Sequence, residues 1–99
     1  MDSAFMSNCE NHKKEVAGIS DMRILAEQIS ALHYQTLAEF LECLRDKIYA
    51  DASKDYDACR YSLGGRLNDA AFFIGQAHLM MERAWKICKP FMNPSTTKP

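Results

Sequence analysis

Apolar residues recur along this chain at three- and four-residue steps, the period of a helix with one buried face. A first run passes from Met22, Leu25, Ile29 and Leu32 to Leu37, Phe40, Leu41, Leu44 and Ile48, with no glycine or proline inside it. It predicts a first helix over about 21–50, roughly 45 Å long at 1.5 Å per residue. Ser20 is the predicted N-cap, with Asp21 in the first turn to complement the helix dipole. Ile19 and Ile24 have the spacing of a hydrophobic staple around that cap.

Residues 51–55 (DASKD) are small and polar and read as a helix–helix connection. A second run then goes through Tyr56, Cys59, Leu63, Leu67, Ala70, Ile74, Ala77, Met81, Trp85 and Cys88, close to a heptad. It predicts a second helix over about 56–89, with Lys86 and Lys89 in its last turn and Pro90 as its stop. Gly64 and Gly65 interrupt it at a cost of about 1 kcal/mol each relative to alanine. The apolar spacing stays in phase across them, which favours a continuous or mildly bent helix over two pieces. A short connection makes the two helices antiparallel neighbours. The expected fold is therefore an all-α helical hairpin over 19–89. Residues 1–18 form a polar segment, flexible or with a short helix, and 90–99 a flexible tail.

Two helices leave much of this apolar pattern uncovered. Phe73, Met80 and Ile87, seven residues apart, widen the stripe of the second helix towards a half-circle. On its far side Tyr61, Phe72 and Leu79 fall near one another. Such a chain is expected to self-associate, most simply as a two-fold homodimer forming a four-helix bundle. The competing arrangement is a monomer in which 1–18 folds back as a third helix.

Composition narrows the function. The 99 residues hold 12 Lys plus Arg against 13 Asp plus Glu, a formal charge of −1, which argues against nucleic acid as partner. A 47% hydrophobic and 25% charged composition is that of a folded chain, and 4 Gly and 3 Pro disfavour a turn-rich β fold. The N-terminal region has no apolar signal segment and no stretch suits a membrane span, so a cytoplasmic protein is expected. Cys9, Cys43, Cys59 and Cys88 make no close pair of the zinc type and read as buried or half-buried reduced thiols.

Candidate chemistry is sparse. With the turn near Ser53, residue i faces roughly residue 106 − i. His33 then faces Phe73, and His78 faces Gln28, which separates the histidines. His78 and Glu82 are four residues apart and able to share a cation. Neither histidine follows a glutamate by three positions as in di-iron bundles, and no metal or other cofactor is expected. Gly64, Ala71 and Gly75 share one edge of the second helix with Arg60, His78 and Glu82. That edge is either a helix-packing surface or a groove for an anion or a partner's carboxylate. The pattern Asp51, Ser53, Asp55, Asp57 resembles half a calcium loop but has Tyr56 at the glycine position and Ser62 at the glutamate position. Acidic residues gather near the expected turn, and Arg83, Lys86 and Lys89 near the open end.

No nucleophile–base pattern and no phosphate-cradling loop occurs, so a non-enzymatic protein is expected. The favoured reading is a small regulatory or inhibitory interaction protein, of antitoxin-like or phage-accessory type. It would offer Tyr61, Phe72, Leu79 and Arg83 to a larger protein partner. The alternative is a ligand-binding bundle holding a metal ion or small anion with Arg60, His33, His78 and Glu82.

Overall fold

The computed structural model describes residues 12–91, which divide into two units between Leu32 and His33. The described chain contains α1 (Met22–Ser30), α2 (Tyr34–Asp57) and α3 (Tyr61–Cys88), closed by a 3-10 turn at Lys89–Phe91. Cys9, most of the 1–18 segment and most of the 90–99 tail lie outside the described residues.

In the first unit a tight turn precedes α1. Val16 and Ile19 exchange both backbone hydrogen bonds, at 3.1 and 2.9 Å. Ala17 and Gly18 between them take φ of 52° and 78°, the left-handed pair of a type I′ turn. Asp21, rather than the expected Ser20, caps α1, its carboxylate accepting from the Arg23 N–H at 2.9 Å. That moves Ile19 and Ile24 out of staple spacing.

The single helix expected over about 21–50 is two helices. The chain leaves helical geometry after Ser30 and restarts at Tyr34. His33 is the N-cap of the restart: its Nδ1 accepts from the Gln35 N–H at 3.3 Å. The apolar pattern carries a trace of the break. The step from Leu32 to Leu37 is five residues, which rotates the stripe about 140° out of phase.

The turn of the hairpin is also displaced. Residues 51–55 are helical, with Asp51 paired to Lys47 at 2.6 Å one turn back and both Ala52 and Asp55 buried. The would-be calcium loop is therefore the last part of α2. The helix ends instead at Ala58, in a Schellman motif. The Cys59 N–H donates to Tyr56 O at 2.9 Å and the Arg60 N–H to Asp55 O at 2.7 Å. Cys59 sits at φ 63°, where glycine is usual. The second helix thus begins at Tyr61, five residues later than its pattern predicted, and runs unbroken through Gly64 and Gly65.

Moving the turn resets which residues meet. His33 packs on Trp85, Ala38 meets His78, Arg45 crosses Gly75 and Ala52 lies against Gly64. Opposed residue numbers therefore add to about 118, instead of about 106. The seam of α2 and α3 is made of small residues. Gly64, Ala71 and Gly75 on α3 are buried, as are Ala38 and Ala52 on α2. A Cβ on Gly64 would stand 3.2 Å from Ala52 O and 3.1 Å from the Tyr56 ring, so the helices touch nearly backbone to backbone there. Leu63, Leu67, Ile74 and Met81, the expected seam, lie beside the contact and are half-buried.

Candidate functional site

The turn end of the hairpin is tied by Arg60. Its Nε donates to Asp55 Oδ1 at 2.8 Å while its backbone N–H holds the Asp55 carbonyl. Asp55 is only 3% exposed. A buried carboxylate needs such a partner, because desolvating it alone is costly. Arg60 is therefore a structural clamp, about 27 Å along α3 from His78 at 1.5 Å per residue. It does not join the ligand group expected for it. Tyr61 stands beside the clamp, its ring 6.0 Å from that of Tyr56. Its hydroxyl donates to Cys59 Sγ at 3.4 Å. That bond, with a smaller contribution from desolvation, raises the Tyr61 pKa above the ordinary tyrosine value. Cys59 and Cys43 are exposed thiols, against the buried or half-buried state expected of them, and Cys88 is half-buried.

At the other end the two histidines lie on one side of the hairpin. The His33 ring tilts at 57° against Trp85, centroids 4.5 Å apart. His78, 6% exposed, has Nδ1 2.8 Å from Ala38 O. A carbonyl only accepts, so this nitrogen carries the proton and donates. Nε2 of His78 is 3.5 Å from Glu82 Oε2, an ion pair when the ring is doubly protonated. His33 uses the opposite tautomer, since its Nδ1 accepts at the α2 cap.

His78, Glu82 and Trp85 line a groove of about 370 Å³ with Gln35, Glu39 and Glu42. A second depression of about 350 Å³ adjoins it where Glu42 of the first is ion-paired, at 3.6 Å, with Arg45 of the second. Tyr49, Phe72, Leu79 and Gln76 line that part, floored by Gly75 under the Arg45 stem. Arg45 is held by Asp46 at 2.9 Å as well as by Glu42. Among the described residues no three His, Cys, Asp or Glu side chains converge as a metal site.

The four residues expected to meet a partner separate. Phe72 and Leu79 share the groove, Arg83 is exposed one turn beyond Leu79, and Tyr61 belongs to the turn end. Of the expected ligand residues, His78 and Glu82 line the groove, His33 touches its Trp85 wall and Arg60 is remote. Tyr49, Glu39 and Trp85 were not among the site residues expected from the sequence. Only the five-residue step after Leu32 and the missing glycine in 51–55 hinted at the register that places them here. The acidic pole expected at the turn is largely consumed by pairing, Asp51 with Lys47 and Asp55 with Arg60.

On the opposite side of α3, Ala70, Phe73, Ala77, Met80, Ala84 and Ile87 alternate small and large at steps of three and four. Phe73 is 67% and Ile87 73% exposed.

No protein-family model, no curated protein and no solved structure matches the chain. No helix among the described residues is long and apolar enough to cross a membrane.

Proposed function

We propose that this chain acts by association rather than catalysis, as a self-associating helical interaction protein that binds, and so regulates or inhibits, a larger protein. The observation that carries the reading is the inversion of its burial. Among the described residues the buried apolar side chains are three alanines, while Phe72, Phe73, Met80 and Ile87 stand at the surface. Burying a large apolar side chain is worth about 1.5–3 kcal/mol. An alanine seam therefore leaves most of the available stabilisation unused, and a pair of helices this small needs a further source of it. The alternating row from Ala70 to Ile87 has the spacing of a coiled-coil seam, so a second copy packing along it is the simplest source. Two hairpins joined in this way make a four-helix bundle. The groove on the other side remains available for the larger partner.

The test is sedimentation or light scattering across a concentration series, on the parent chain and on Met80→Asp. A dimer that Met80→Asp converts to a folded monomer supports the reading. A parent chain that stays monomeric at high concentration overturns self-association. The ligand-binding alternative retains only His78 and Glu82 with His33 at the edge, and no observation favours it over association.

A further inference from the structure

Resting on that reading, we infer that the groove between α2 and α3 receives a basic amphipathic helix presented by the partner. The walls have two chemistries in sequence. The part near Trp85 carries the carboxylates of Glu39, Glu42 and Glu82, and the part near Tyr49 carries the apolar faces of Phe72 and Leu79. Arg45, the cation between them, is already engaged by Glu42 and Asp46. Counting Glu39, Glu42, Asp46 and Glu82 against Arg45 and leaving the histidine uncounted, the lining has a net charge of −3, and Arg83 is exposed and not part of it. The chain as a whole carries −1, so the charge is concentrated in this groove. From Gln35 to Tyr49 the groove spans about 21 Å, four turns of helix.

Charge and shape together specify the occupant. A helix with apolar side chains at one end of its face would seat them against Phe72, Leu79 and Tyr49. Lysine or arginine two turns away would meet the three glutamates. An acidic helix would be repelled by the same carboxylates, since like charges set face to face are unfavourable and suppress the wrong partner. A neutral apolar helix would leave those carboxylates partly desolvated and unpaired.

Trp85, the single tryptophan, forms part of the groove wall and reports occupancy directly. The probe is a synthetic leucine–lysine helix of roughly 18 residues, titrated into the full chain while Trp85 fluorescence is followed, with a leucine–glutamate peptide of the same spacing beside it. Saturable binding is expected, about tenfold or more tighter for the lysine peptide and weakened by salt. Glu39→Gln combined with Glu82→Gln, and separately Phe72→Ala, are each expected to weaken it about tenfold. Ile87→Ala, on the far side of α3, is expected to leave it unchanged. Equal binding of the two peptides, or indifference to the groove substitutions, overturns the proposal. Light scattering on the same variants separates the readings. If the groove substitutions abolish the dimer, the groove is occupied by a second copy and the inference fails. If the dimer persists and no peptide binds, the inference fails while self-association stands.

Discussion

Arg60 holds Asp55 twice, through its guanidinium at 2.8 Å and through its own backbone N–H at 2.7 Å. The two contacts close one ring around the turn, so the reversal of the chain and the burial of the carboxylate are a single event. Arg60→Ala leaves a buried charge without its partner and is expected to destabilise the hairpin by about 3 kcal/mol, within the range for breaking a buried pair. Asp55→Leu with Arg60→Met together should cost much less, because neither charge then needs solvation. Urea unfolding of the single and double variants checks both expectations.

Cys59 adopts a left-handed conformation without being glycine. That backbone costs about 1–2 kcal/mol for a residue with a Cβ. Cys59→Gly removes the strain but loosens the unfolded chain by about 0.5–1 kcal/mol. A net stabilisation of about 0.5 kcal/mol is expected, with Cys59→Val destabilising. Thermal melts of the two variants should move in opposite directions.

The same substitution reaches Tyr61, whose hydroxyl donates to the Cys59 sulfur. In the parent the Tyr61 pKa lies above the ordinary value of 10.0, mainly because of this bond. The folded state therefore holds the phenol proton more tightly than the unfolded chain. Its contribution to stability is complete below pH about 10 and is lost as pH rises through the folded value. In Cys59→Gly the Tyr61 titration, followed by NMR, is expected to move back towards the ordinary value.

Gly64 and Gly65 are neighbours with opposite expected responses. A Cβ at Gly64 meets the Ala52 carbonyl at 3.2 Å, a backbone atom that cannot swing away. At Gly65 the nearest contact is the Tyr56 hydroxyl at 3.6 Å, ordinary packing distance. Gly65→Ala should gain most of the helix-propensity difference, about 0.5–1 kcal/mol. Gly64→Ala should lose more than that gain, for a net destabilisation of about 1–2 kcal/mol. Paired denaturation curves decide it, and equal effects would refute the close approach of the helices.

His33 both caps α2 and packs on Trp85. His33→Asn keeps a capping acceptor and removes the ring contact, whereas His33→Ala removes both. The alanine variant is expected to be about 1 kcal/mol less stable than the asparagine variant. Both should alter Trp85 fluorescence, so stability and emission together separate the two roles.

A short connection between two amphipathic runs is enough to read an all-α antiparallel pair, and periodicity with Pro90 gives the end of α3, its continuity through its glycines and its excess of apolar surface. The latter are properties of single helices, and a repeat of three to four residues records which face of a helix is apolar. The turn escapes that reading, because residues 51–55 have neither glycine nor proline. What ends α2 is a left-handed cysteine, and what holds the end is a contact between residues five apart. The seam escapes it too, because close approach favours the glycine and alanine edge, and the large side chains are left beside it. Displacing the turn by six residues shifts every cross-helix pairing by about twelve. That shift brings His33 to Trp85 and His78 to Ala38, and it assembles the groove. Residues of one helix find their neighbours by local spacing, whereas a site between helices depends on register, which only the packed tertiary structure sets.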